Sequence, residues 1–257
     1  MRFIRAIVRP PGANFAQGLT SADLGPPDMA KARAQHQDYC RALEKCGVAV
    51  TVLPADKNFP DSTFVEDTAI VTSRGTLLTR PSEPSRLGEV AAMRPALEKF
   101  FPTLAEIQPP GTLDGGDVCD ADGHFFIGIS QRTNEEGAWQ LARWLEKLGY
   151  TPTVVDIRRR PGLLHLKSGL AWLGGNKLAL SRELADEPAF RDYEILQAAV
   201  DESYATNCLL INDTLLIAKG FPQFAADVGQ RGVKVVTLDV SEFRKMDGGL
   251  SCLSLRW

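Results

Sequence analysis

The segment MDGGLSC (246–252) ends on Cys252, whose thiol is a strong nucleophile once it loses its proton. LLHLKSG (163–169) carries His165, of a residue type that takes and gives protons near neutral pH. A hydrophobe-Asp-Gly-Gly tetrapeptide occurs twice, at 113–116 with Asp114 and at 246–249 with Asp247. PDSTFVED (60–67) adds Asp61, Glu66 and Asp67. A cysteine–histidine–carboxylate set supports attack on an electrophilic carbon. The surplus of acids points to a cationic substrate, because buried acids need a positive partner. A guanidinium is planar, stays charged and is held by carboxylates through paired hydrogen bonds. Attack on a guanidinium carbon therefore fits better than acyl transfer, which wants donors around an oxyanion.

Taken singly, each residue also has a structural reading. His165 follows Leu163 and Leu164 and could be a core histidine, and Asp114 could merely start a turn. Cys252 lies in an apolar stretch, where a buried free cysteine is common. Cys119 and Cys208 share that reading without the glycine-rich approach, and His36 and His124 look structural. The chemistry is carried by the set.

Something must bring these dispersed segments together, and the chain repeats a suitable unit. Five helix-period segments each lead into a short β-branched run: MAKARAQHQDYCRALEKCG into VAVTVLP, EVAAMRPALEKFF into TLAEIQP, EEGAWQLARWLEKLG into PTVVDI, a shorter EPAFRDY into EILQAAV, and FPQFAADVGQRG into VKVVTLDV. Gly47, Gly149 and Gly232 stand where helix C-caps belong. Hairpin-like stretches lie between the units, turning through SRG, ADG, GGN and ND. A fifth hairpin, at GGLSCLSLRW, lacks its second strand, which RFIRAIVRP could supply. Five units closed in this way predict a ring with pseudo-fivefold symmetry, in which the polar hairpin starts converge on the axis. The alternative is an open α/β sheet with variable hairpins.

The bulk composition restricts the function. The chain has 257 residues, 44% hydrophobic and 24% charged, with a net charge of −3, which gives no electrostatic footprint for nucleic acid or an anionic membrane. MRFIRAIVRP reads as a first strand and not as a signal peptide, and no apolar run approaches a bilayer span, so a cytoplasmic location is expected. Five cysteines without compact spacing or a C-x-x-C pair argue against a disulfide framework or a structural zinc site.

The motifs also stand in a familiar order. GLTSADLG (18–25), FPDSTFVEDTA (59–69), RPSEPSRLGE (80–89), PGTLDGGDV (110–118), RTNEEGA (132–138), LHLKSGLA (164–171), DESYATN (201–207) and FRKMDGGLSC (243–252) run between RAIVRP and GGLSCLSLRW. Together they resemble the bacterial dimethylarginine dimethylaminohydrolases of the guanidine-modifying superfamily. The resemblance implies a five-bladed α/β propeller (pentein fold) with pseudo-fivefold symmetry, in one catalytic domain over 1–257. It implies hydrolysis of Nω-methylated L-arginine to L-citrulline through a cysteine adduct, with no cofactor and no metal. By motif, Cys252 resembles the nucleophile, His165 the general acid and base, and Asp114 the third carboxylate, where some relatives have Glu. Glu66 and Asp67 resemble acids that grip the guanidinium, and Arg86 and Arg132 the pair that binds the α-carboxylate. Asp61 resembles the acid near the α-amino group, aided by the backbone carbonyls of Leu19 and Met246. The segment around Leu19 resembles a mobile lid. The expected partner is a small-molecule methylated arginine, with no nucleic acid and no membrane; a homodimer is left open.

Three rival readings remain within the same superfamily. Arginine deiminases resemble this core but carry an inserted helical domain, for which the chain has no room. Agmatine deiminases act on a substrate without an α-carboxylate, which would leave Arg86 and Arg132 without a purpose. Amidinotransferases share the superfamily. A fourth, from a different class, is a non-catalytic ring protein of the ribosome-associated kind, against which the joint presence of Cys252, His165 and Asp114 speaks.

Overall fold

The computed structural model describes residues 2–257; Met1, part of the predicted first-strand segment, lies outside them. Chain order begins with β1 (Arg5–Val8), α1 (Met29–Lys45) and β2 (Ala49–Val52), followed by β3 (Ala69–Thr72), β4 (Gly75–Leu78), α2 (Leu87–Leu97) and β5 (Leu104–Glu106). Next come β6 (Val118–Ala121), β7 (His124–Ile129), α3 (Glu135–Lys147) and β8 (Thr151–Asp156), then β9 (Leu170–Gly174), β10 (Lys177–Leu180) and β11 (Glu194–Gln197). The last are β12 (Leu209–Ile211), β13 (Thr214–Ala218), α4 (Pro222–Gln230), β14 (Lys234–Leu238) and β15 (Leu255–Arg256).

These strands form five three-stranded sheets, β15-β1-β2, β3-β4-β5, β6-β7-β8, β9-β10-β11 and β12-β13-β14. In each, the middle strand is antiparallel to the first and parallel to the third. A parallel pair cannot be joined by a tight turn, which is why a crossover segment separates the second and third strands of every unit. The first sheet takes β15 as its leading strand, with Ala6 opposite Arg256 and Ile7 opposite Leu255. The expected ring closure is thus present. Around the axis, β15 touches β3, β6 touches β9, and β9 touches β12.

Local sequence explains the element ends. The Asp28 side chain accepts the N–H groups of Ala30 and Lys31 and caps α1, and Asn134 does the same for α3 through Gly137. Gly47, Gly149 and Gly232 have φ of 83°, 78° and 77°, the left-handed backbone expected just past a helix. One face of α3 buries Ala138, Leu141, Ala142 and Leu145 against Phe125 and Ile127 of β7. Each large side chain so buried contributes about 1.5–3 kcal/mol. The fourth unit departs from expectation. Its crossover, which includes EPAFRDY, forms two 3-10 turns, Arg182–Leu184 and Pro188–Phe190, and no α-helix. Pro188, at the start of the second turn, lacks the N–H that a helix continuing through that point would need.

The hairpin starts also differ from the expected strands. They are 3-10 turns: Val65–Thr68, Gly115–Asp117, Leu166–Ser168, Val200–Thr206 and Ser251–Leu253. They touch in ring order, 251–253 against 65–68, then 115–117, 166–168 and 200–206. The resulting floor carries the polar residues singled out above.

Candidate active site

Four turns supply the reactive groups, and the two Asp-Gly-Gly segments let them come close. A Cβ on Gly116 would lie 2.6 Å from Nδ1 of His165, so glycine is what allows the 115–117 turn to pass under the imidazole. Gly248 plays the same part beneath the Phe64 ring. Neither glycine has positive φ. Close approach, and not an unusual backbone angle, explains the motif.

His165 Nε2 lies 3.1 Å from Asp114 Oδ2. Asp114 is fully buried and its Oδ1 has no hydrogen-bond partner among the described residues. Asp67 Oδ2 accepts from Arg86 at 2.7 Å and its Oδ1 accepts the Gly116 N–H at 2.8 Å. One polar side-chain atom from each of Asp67, Asp114 and His165 lies within 4.8 Å of the other two. Burial disfavours the imidazolium, but the charge of Asp67, the Asp114 hydrogen bond and the charges of Asp117 and Asp114 outweigh it and raise His165 to about 9. Burial would also raise Asp67, yet the Arg86 and His165 charges and the Gly116 amide bring it down to about 2. At neutral pH the site therefore holds a protonated imidazole beside ionised Asp67.

Cys252 Sγ accepts the Gly249 N–H at 3.4 Å and faces the same cavity as His165 and Asp67. Burial, followed by the charges of Glu66 and Asp67, pushes its thiol up to about 12. The resting group is a thiol. Alkylation of Cys252 in the free protein should accordingly keep accelerating from about pH 8 to about pH 10, beyond an ordinary thiol midpoint. Time courses with iodoacetamide, read by peptide mass, check this; a plateau reached below about pH 8 would contradict it.

The cavity has a volume of about 230 Å³ and is lined by nearly all the residues expected to bind substrate: Leu19, Asp61, Asp67, Arg86, Arg132 and Met246. Asp61 is buried and raised by that burial, and it accepts the Leu19 N–H at 3.1 Å. The expected lid lies across the cavity. Ser21 N–H and Oγ reach Asp247 Oδ2 at 2.5 and 3.0 Å, and Thr20 Oγ1 donates to the Lys245 carbonyl. Asp247 holds this position with φ of 57°.

Two expectations take a different form in the structure. Glu66 is ion-paired and is not among the residues lining this cavity, while its charge still acts on Cys252. Its Oε1 accepts Lys167 Nζ at 2.6 Å and Arg256 at 3.0 Å, and its Oε2 accepts Ser251 Oγ at 2.9 Å. It lines a second cavity of about 130 Å³ with Lys167, Arg256, Cys119 and Cys208. Lys167 and Arg256 are largely buried cations and need an acid, which Glu66 provides. Nor are the two arginines bare. Arg86 is buried between Asp67 and Glu89, the latter at 2.9 Å, and Arg132 lies 3.1 Å from Glu83. The argument that a substrate without a carboxylate would leave both cations unpaired does not hold. Glu83 is more than a third exposed, so a ligand carboxylate can exchange with it at Arg132.

Sequence reasoning passed over Glu89, Lys167, Arg256 and Asp117. Glu89 stands three residues after Arg86, the spacing of helical ion pairs, which was a readable signal. Lys167 and Arg256 gave none, because their partner lies in another unit.

Comparison with known proteins places this geometry. Residues 27–187 match the family model described as N,N dimethylarginine dimethylhydrolase, eukaryotic. The N(G),N(G)-dimethylarginine dimethylaminohydrolase of Pseudomonas aeruginosa is 43% identical over 99% of this chain and 100% of its own length. The structure of a cysteine-to-serine variant of the Pseudomonas aeruginosa enzyme with citrulline superposes with a TM-score of 0.97, at 42% identity and covering 100% of both chains. A histidine-to-glycine variant of a dimethylarginine dimethylaminohydrolase, as an adduct with S-methyl-L-thiocitrulline, superposes with a TM-score of 0.96, at 42% identity over 99% of this chain and 100% of that one.

Proposed function

Since this chain belongs to the dimethylarginine dimethylaminohydrolase family, we infer that it hydrolyses Nω-methylated L-arginine to L-citrulline, releasing methylamine or dimethylamine. The observation that carries the reading is the convergence of Cys252, His165 and Asp67 on one cavity, with Asp114 against the imidazole.

The residues divide the work as follows. The guanidinium of the substrate seats against Asp67, whose carboxylate keeps lone pairs free beside the Arg86 and Gly116 bonds. The α-carboxylate takes the place of Glu83 at Arg132, and Asp61 receives the α-amino group. The arriving cation offsets the negative charge that holds up the Cys252 thiol, so proton loss accompanies binding. The thiolate adds to the guanidinium carbon. His165, protonated at rest, donates to the departing amine nitrogen, and the C–N bond breaks to leave an S-alkylthiouronium. The neutral imidazole then takes a proton from water as its oxygen adds to the same carbon. The C–S bond then breaks as the added hydroxyl becomes the carbonyl, its proton passing to the departing sulfur, which gives citrulline and regenerates the Cys252 thiol.

Specificity against arginine rests on orientation, because arginine is the smaller ligand and cannot be excluded by size. An unsubstituted guanidinium can turn more N–H donors toward Asp67 and settle unproductively. A dimethylated nitrogen has no N–H and a monomethylated one has a single N–H, so the substituted nitrogen is directed to the leaving position near His165. We expect kcat/KM for dimethyl- and monomethylarginine to exceed that for arginine, with agmatine also poor for want of a group at Arg132. Citrulline release, or the corresponding ureido product for agmatine, measured across these four guanidines checks it. Faster turnover of free arginine would move the assignment to a deiminase.

A further inference from the structure

The fully buried Asp117 has no assigned part in this chemistry, yet its carboxylate sits at the crossing of three lines of hydrogen bonds. Oδ1 accepts the Leu166 N–H at 2.9 Å, one residue beyond His165. Oδ2 accepts the hydroxyls of Ser130 at 2.6 Å and Thr133 at 2.7 Å. Ser130 Oγ in turn accepts the N–H groups of Arg132 at 2.9 Å and Thr133 at 3.1 Å. Thr133 Oγ1 accepts the Asp114 N–H at 3.2 Å. Asp117 itself does not line the substrate cavity. A Cβ on Gly128 would lie 2.9 Å from Oδ1, so the neighbouring strand is kept bare where the carboxylate sits.

We propose that Asp117 is the positioning residue of this site, setting His165, Asp114 and Arg132 in one frame through Leu166, Thr133 and Ser130. The inference deepens the hydrolase reading and rests on it. An ionised carboxylate accepts only, and this is what the arrangement requires. With both hydroxyl protons directed at Asp117, the Ser130 and Thr133 oxygens are left as acceptors for the amides of Arg132, Thr133 and Asp114. A side-chain amide in the same place would present N–H groups on one side and turn that order of donors around. The two branches serve different steps. The Ser130 branch ends on the arginine assigned to the α-carboxylate, and the Thr133 branch ends on the acid that orients the imidazole.

A purely structural acid would damage both steps together, whereas this one predicts a division. Ser130→Ala should act mainly on KM for dimethylarginine, raising it roughly five- to tenfold, the effect of about one lost hydrogen bond. Thr133→Val should act mainly on kcat, lowering it by a similar factor. Asp117→Asn should do both, and adding Ser130→Ala to it should raise KM little further, because the shared branch is already broken. Steady-state citrulline formation gives both parameters, with thermal melts alongside. If Asp117→Asn fails to fold, the two hydroxyl variants still decide. Wild-type protein that turns over dimethylarginine while both single variants move the same parameter, or neither moves any, would overturn the proposal. Wild-type protein inert toward every guanidine would overturn the hydrolase reading itself.

Discussion

Cys252→Ser should lower the turnover of methylated arginine by at least about 10³-fold, as removal of a covalent nucleophile does elsewhere. The reason lies in the charge balance at Sγ. Burial and the acids Glu66 and Asp67 already hold the thiol up to about 12, and only a bound cation brings the thiolate within reach. A serine hydroxyl starts far higher, and the same cation cannot lower it enough. The variant should still bind substrate, because Asp67, Asp61 and Arg132 are untouched. Cys119→Ser and Cys208→Ser act as controls. Both residues are buried and line the cavity on the other side of the turn floor, so turnover should persist. Citrulline formation in single-turnover mixtures measures all three. Near wild-type rates from Cys252→Ser would refute the covalent route.

His165→Asn should slow turnover by about 10²–10⁴-fold. The imidazole is raised to about 9, so it is charged in the resting protein and able to donate to the leaving amine. The sign of the pH dependence follows. A raised pKa keeps the acid form present through neutrality and loses it on the alkaline side, so wild-type kcat should fall as pH climbs through the imidazole's midpoint in the substrate complex. Asparagine has no such proton, and that alkaline limb should disappear with the histidine. The second half-reaction loses its base as well, so the thiouronium adduct should survive long enough for intact-protein mass spectrometry. Turnover within about tenfold of wild type, or an unchanged alkaline limb, would remove His165 from both roles.

Much of this was readable before any coordinates. Four of the five helix–strand units, the glycine caps and the pairing of RFIRAIVRP with the last strand follow from hydrophobic period and turn chemistry and appear in the fold, while the fourth crossover forms 3-10 turns instead of a helix. Cys252, His165 and Asp67 could be grouped because each stands where a hairpin begins. The direction of individual side chains was not legible. In a strand, Glu66 and Asp67 would have pointed to opposite faces of a sheet. In the 3-10 turn Val65–Thr68, neighbours diverge by about 120° around the turn axis, and the two acids serve different cavities. Glu66 is engaged by Lys167 and Arg256, cations contributed from distant parts of the chain. The pairing of Arg86 with both Asp67 and Glu89 was hidden for the same reason. A family likeness names a residue's role but not the company it keeps.

The seam between β1 and β15 bears on how this protein acquires its activity. Joining Ala6 to Arg256 brings together segments roughly 250 residues apart, a loop closure whose entropic cost is about 5 kcal/mol on a logarithmic estimate. The reactive groups are distributed around that loop. Asp67 precedes the second sheet, Asp114 the third, His165 the fourth, and Cys252 the seam itself. Any partly assembled arc can hold its own hairpins and helices, yet the nucleophile joins the acid and the guanidinium acceptor only when the seam between β1 and β15 forms. During refolding from denaturant, far-UV ellipticity should therefore recover ahead of catalytic competence, since local contacts form faster than distant ones. Chemistry therefore waits on the seam, whatever local structure the chain has already gained.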